Sequence, residues 1–246
     1  MQLMYGSGSL FGTRTDIANP TPVQFGVIQD VQIDFSFSTK ELMGQYQAPI
    51  AVARGAMKIT GKTKAATIRG RAFNDIFFGQ TLSPGQQATA LNEGPTAIPA
   101  SPYSITVANS MTFVADLGVI NAATGIPMVA VASAPAAGQY SLAAGVYTFS
   151  SADEASGISV QISYTYTIAS TGNRIVAANQ LMGAAPAFQV SLYGTYQGKQ
   201  ATMVLPQCVS TKLSLAFKNE DFMIPEFDFS AYANEAGTFF DISTVE

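Results

Sequence analysis

Ala56–Thr63 (AMKITGKT) has the small residue, the glycine and the Lys-Thr pair of a relaxed phosphate-cradling loop. Such a loop needs short, flexible residues after a strand and a helix starting at the Lys-Thr, so that backbone N–H groups converge on an anion. Met57, Lys58, Ile59 and Thr60 favour a strand instead, so the segment argues against nucleotide binding. Gly6–Gly12 (GSGSLFG) resembles a dinucleotide fingerprint, but it carries one residue too many between its second and third glycines and follows no strand. A flexible N-terminal arm is the better reading. Glu226 and Asp228 would share one face of a strand and could form an acid–base pair, or supply oxygen ligands without the spaced loop of a calcium site. Solvated or ion-paired carboxylates are the plainer account.

The counts close most other chemistry. With no histidine, the chain lacks the commonest general base and metal ligand, and any Ser-His-Asp or Cys-His arrangement. It has no tryptophan for stacking on sugars, and its single Cys208 forms no intrachain disulfide. The expectation is a protein that is not an enzyme and holds no cofactor or metal.

Charge is scarce and segregated. Asp, Glu, Lys and Arg make up 11% of the 246 residues, against about 25% in ordinary soluble proteins. Either other subunits cover much of the surface, or a large β-sandwich presents Ser and Thr to water. Arg54, Lys58, Lys62, Lys64, Arg69 and Arg71 fall together with no acid between them, whereas seven acids and no base follow from Glu220 onward. Lys58, Lys62 and Lys64 would form a stripe on one face of a strand. Arg54, this stripe, Glu226 and Asp228 are therefore candidate inter-subunit contacts, the lysines of one copy meeting the acids of the next. A solvated strand face is the alternative. A net charge of −4 argues against nucleic-acid affinity as the main function.

The elements that must position these residues are strands. Val31–Ser38, Ile158–Ile168 and Val209–Phe217 alternate large apolar with polar residues at period two, as half-buried antiparallel strands do. Ala72, Phe73, Ile76 and Phe77 predict one short packed helix, ended by Gly79. The fold class is mainly β, an antiparallel sandwich or barrel with that helix. Thr81–Pro102, rich in Pro, Gly, Gln and Ala, predicts a long loop. Residues 81–170 then form an inserted β-rich region between the two parts of a core, 1–80 and 171–246, unless those strands simply continue the main sheet. No segment reads as a secretory signal, and the prolines and glycines in Leu117–Ala152 argue against a membrane span.

Val31–Ala53 (VQIDFSFSTKELMGQYQAPIAVA) and Arg54–Gly79 (RGAMKITGKTKAATIRGRAFNDIFFG) resemble the core of phage tail tube (major tail) proteins. Lys218–Ser243 (KNEDFMIPEFDFSAYANEAGTFFDIS) is similar to their C-terminal arm, and Val131–Thr167 resembles the β-rich stretch that interrupts some of them. The resemblance implies a β-sandwich of tail-tube type that forms rings, commonly hexamers, stacked into a tube through loops and terminal arms. It implies other tail proteins as partners and viral DNA passing through the lumen without specific binding. It further implies location in the virion tail after synthesis in the bacterial cytoplasm, with the inserted region facing outward. The competing reading is a β-rich adhesion or decoration module of a virion or cell surface that binds glycans.

Overall fold

The computed structural model describes Gly6, residues 8–67 and residues 69–245. The chain divides into two compact units, Met1–Leu82 with Ile175–Glu246, and Ser83–Arg174. In chain order, the first unit holds β1 (Ser9–Arg14), β2 (Val23–Gln24), β3 (Ile28–Met43), β4 (Pro49–Ala65) and α1 (Gly70–Phe73). The second holds β5 (Ser83–Ala97), β6 (Ser104–Thr106), β7 (Phe113–Asn121), β8 (Val129–Val131), β9 (Gln139–Ala143), β10 (Val146–Phe149), α2 (Ser151–Ala155) and β11 (Ser159–Arg174). The chain returns to the first unit with β12 (Ala187–Tyr196), β13 (Lys199–Ser214), β14 (Glu226–Tyr232) and β15 (Asp241–Thr244).

The first unit is one eight-stranded antiparallel sheet in the order β2-β1-β12-β13-β14-β4-β3, with β15 paired to the first half of β13. In a flat sheet β2 and β14 would stand roughly 20 Å apart. Yet the Phe25 ring, next to β2, stacks on Phe227 of β14 at 4.7 Å. The sheet therefore curls over its own apolar face, burying Leu10, Ile59, Phe188, Val190, Leu205, Phe227 and Phe229 in one cluster. Gly61 makes the curl possible. A Cβ there would sit 2.0 Å from Cζ of Phe229, so the ring occupies the space a side chain would need.

The predicted helix is present, but its second half is wider than an α-helix. α1 runs into a π-helical turn, Asn74–Phe78, and Gly79 at φ 60° donates its N–H to the Asn74 carbonyl at 2.6 Å. Ala72 and Ile76 are buried and Phe77 packs against the core. The side chain of the buried Asn74 bonds both backbone groups of Gln80, which ties the helix end to the following chain.

Three expectations fail here. Ser9–Arg14 is no arm but β1, paired along its length with β12; Ser7 and residues 1–5 lie outside the described residues. The C-terminal segment is likewise built into the sheet, since β14 sits between β13 and β4. Thr81–Pro102 is not a long loop, because Ser83–Ala97 forms β5. Gly85, Gly94 and Pro95 fall within register shifts against β11, with Asn92 at φ 52° and Gly94 at φ 116°, while Pro84 stays in register opposite Asn173. Composition marked the irregularity and missed the pairing.

The second unit is a small sandwich. A three-stranded sheet, β5-β11-β7, faces a four-stranded one, β6-β10-β9-β8, whose β8–β9 pair is parallel. Their shared core holds Val119, Tyr140, Tyr147, Phe149, Val160, Ile162 and Tyr164. The unit begins and ends as one antiparallel pair, Ser83 opposite Arg174. α2 was not foreseen; at five residues it shows no periodicity, and it is fixed by the Ser150 cap and by buried Asp153, which accepts from the Gly138 N–H at 2.9 Å.

Tyrosines cross this core to reach carboxylates. Tyr147 and Tyr140 both donate to Asp116, Tyr147 at 2.8 Å, and Tyr164 donates to Glu93. Burial, followed by the hydrogen bond to the Asp116 carboxylate, raises the pKa of Tyr140 and of Tyr147 above the ordinary tyrosine value. A folded-state pKa above the unfolded one near 10 gives stability that is complete below that pH and lost as pH rises through and beyond it. The second unit should accordingly lose thermal stability above pH ~10, and Tyr147→Phe should cost about 1–3 kcal/mol at neutral pH by leaving Asp116 short of a donor. Melting curves of the Ser83–Arg174 signal across pH 7–11 check both; a flat profile would contradict them.

Candidate functional site

β3 and β4 form a hairpin much longer than the sheet that supports it. β14 pairs with β4 only from Lys64 to Ile59, where Ala231 is the last partner. Beyond Ile59 the hairpin continues through Met57 and Arg54 to Pro49 as two strands alone. Among the described residues neither outer edge of this distal part pairs with another strand.

Its apolar face is the core face carried outward. Val31, Ile33 and Met57 pack against the buried cluster, and Phe35 meets Phe240 edge-on at 5.0 Å. Past Phe37 a bulge sets Gly55 and Ala56 against Ser38 alone, because Phe37 faces Met57 and Thr39 faces Arg54. The extra residue keeps apolar positions on that face. The Arg54 guanidinium lies over the Phe37 ring, 4.2 Å from its centroid, and Val52 and Ile50 follow at 59% and 72% exposure. Leu42, Met43 and Tyr46 near the turn are also exposed. An isolated two-stranded ribbon is marginal in water, and a long apolar edge is a template for pairing with another chain.

The opposite face carries the charges. Lys58, Lys62 and Lys64 do share one exposed face of β4, alternating with buried Ile59, Gly61, Thr63 and Ala65. In register, Lys64 lies between Asp30 of β3 and Glu226 of β14, and Asp228 lies between Lys62 of β4 and Lys212 of β13. Lys64 Nζ pairs with Glu226 at 3.1 Å, both side chains half-exposed. The acids expected on an adjacent subunit are thus cross-strand neighbours of the lysines in the same chain. Segregation in sequence became alternation in space because antiparallel pairing laid the basic strand beside the acidic one. Arg54 stands apart on the apolar face, and Lys58, opposite Ser36, forms no ion pair among the described residues.

Two other motifs find their places. Ala56–Thr63 lies wholly within β4, with no helix at Lys62-Thr63, so its backbone N–H groups serve the sheet ladder and do not converge on an anion. Glu226 and Asp228 share a strand face, as their spacing predicts, and both line a partly open groove of about 270 Å³ in which Lys62 and Lys64 stand beside them. Among the described residues no three His, Cys, Asp or Glu side chains gather as a metal site, and no helix is long and apolar enough to cross a membrane. Buried Cys208 has its thiol pKa pushed up to about 12 by desolvation.

Sequence reasoning missed Leu42, Met43, Tyr46, Ile50 and Val52. Ile50 and Val52 alternate with Ala51 and Ala53, a period-two signal, but nothing in that pattern tells that β14 stops at Ile59. No protein-family model matches the chain, and no curated protein matches it.

The charged ladder is a feature of the monomer. Reversing Lys62 and Lys64 to Glu places like charges opposite Asp30, Glu226 and Asp228, and should lower stability by about 1–2 kcal/mol, most at low salt. Urea unfolding at two ionic strengths checks this. An unchanged midpoint at low salt would show that the ladder contributes nothing.

Proposed function

We propose that this chain is a structural virion protein that assembles with copies of itself into stacked rings, forming the tube of a phage tail through which DNA is ejected. The observation that carries the reading is the distal β3–β4 hairpin, which exposes an apolar face and two unpaired edges and gains a stable environment when other copies cover it. The low charge content supports it, since surfaces buried between copies need few charges. So does the resemblance of Val31–Gly79 to the tail tube core, from which rings of six, the other tail proteins as partners and location in the virion tail are taken. On this reading the second unit is an accessory module outside the assembling core.

Electron microscopy and sedimentation of the purified protein across concentration test the proposal. Rings and hollow filaments are expected, and Ile50→Asp with Val52→Asp should raise the concentration needed for assembly by roughly tenfold or more while leaving the circular dichroism of the monomer unchanged. A chain that stays monomeric at every concentration, or a double variant that assembles like the parent, would overturn it.

A further inference from the structure

A second uncovered surface lies at the other end of the same sheet. The loop between β13 and β14, residues 215–225, follows Ser214 and precedes Glu226, which pairs with Lys64 at the far end of β4. It exposes Phe217 and Phe222 at 81% and 89%. Asp221 shapes it by accepting from the Phe222 N–H at 2.9 Å and from Lys218 at 3.5 Å, while Glu220 has no ion pair among the described residues.

We infer that this loop of one copy packs on the distal hairpin face of the next, Phe217 and Phe222 covering Val52, Ile50 and the Arg54–Phe37 pair. The inference rests on the self-assembly reading and names the contact that accomplishes it. Two properties match the surfaces. On the apolar face of the distal hairpin Arg54 is the one base and Glu41 the one acid, and Arg54 is in no ion pair among the described residues; the loop offers exposed aromatic rings beside Glu220, which is likewise in no ion pair among the described residues, and Asp221. Aromatic side chains seated in an apolar surface beside an opposite charge are the usual anchors of an interface.

The loop cannot cover the hairpin of its own chain. Lys64 and Ile50 stand near opposite ends of the 17-residue β4, on the order of 40 Å apart at ~3.3 Å per residue. Two complementary surfaces at opposite ends of one sheet can make a heterologous contact. One such contact leaves a free hairpin on one copy and a free loop on the other; these can close reciprocally in a two-fold dimer, close into a larger ring or continue as a filament, and the self-assembly reading requires one of the last two.

Cross-linking tests the pairing. Val52→Cys and Phe222→Cys are made as separate full-length chains with distinguishable tags, mixed under assembly conditions and treated with a short bismaleimide; buried Cys208 serves as the unreacted internal control. The expected product is the mixed dimer, at least tenfold over either homodimer, and a chain carrying both cysteines should give a ladder of higher oligomers. Val52→Cys homodimers as the main product would show hairpin meeting hairpin and overturn the inference. So would filaments seen by microscopy with no mixed dimer, an outcome that leaves self-assembly standing. A parent protein that forms neither rings nor filaments would remove both the contact and the reading beneath it.

Discussion

β4 outruns the strand that supports it. Ala231 of β14 is the last partner of β4, opposite Ile59, and among the described residues everything from Lys58 to the turn has only β3 beside it. A strand buried in a sheet satisfies its backbone on two sides and its apolar face against a core. Beyond Met57, which still packs on the core, the distal hairpin has one paired side and no core cover among the described residues, yet it keeps Phe37, Val52 and Ile50 where core residues would stand. The curled sheet closes its own apolar face through Phe25, Phe227 and Phe229 over Gly61, and leaves the hairpin as the part that does not close.

The two faces of β4 divide the work. On one face Lys62 and Lys64 are balanced by Asp30, Glu226 and Asp228 within the chain, so the charges are largely spent on holding four strands in register. Pairs of this half-exposed kind contribute tenths of a kcal/mol each, enough to favour one register over a slip that would set like charges together. On the other face the apolar strip is unspent. In the proposed assembly this strip would supply the apolar burial between copies, with Arg54 on the Phe37 ring as a local polar anchor.

Much of the fold was legible because period-two alternation reports burial directly. Val160, Ile162 and Tyr164 are buried in β11, and Val31 and Ile33 pack on the core of the first unit, as their spacing predicts. The spacing of Ala72, Phe73, Ile76 and Phe77 gave the helix, though not its π-helical second half. Period two over Val209–Phe217 puts Thr211 on the face of Val209 and Leu213, but a register shift between Ser210 and Lys212 leaves it exposed, and β13 ends at Ser214 before Leu215 and Phe217. What could not be read was partnership. Nothing in Thr81–Pro102 names β11 as its partner, and nothing in the lysine stripe says that Glu226 and Asp228 belong to the adjacent strand of the same chain. Pairing between strands distant in sequence is a property of the whole sheet, and the candidate surface is defined by where such pairing stops.

The proposed assembly requires the distal hairpin to be open in the single chain and covered between copies. Hydrogen–deuterium exchange, followed by mass spectrometry on dilute and on assembled protein, measures this directly, because unpaired edge amides exchange freely and paired or buried ones do not. Residues 36–43 and 49–58 should exchange quickly in the dilute protein and become strongly protected on assembly, while β12 and β13 remain protected in both. Protection of the hairpin that is already complete in the dilute monomer, or unchanged when copies assemble, would contradict the account.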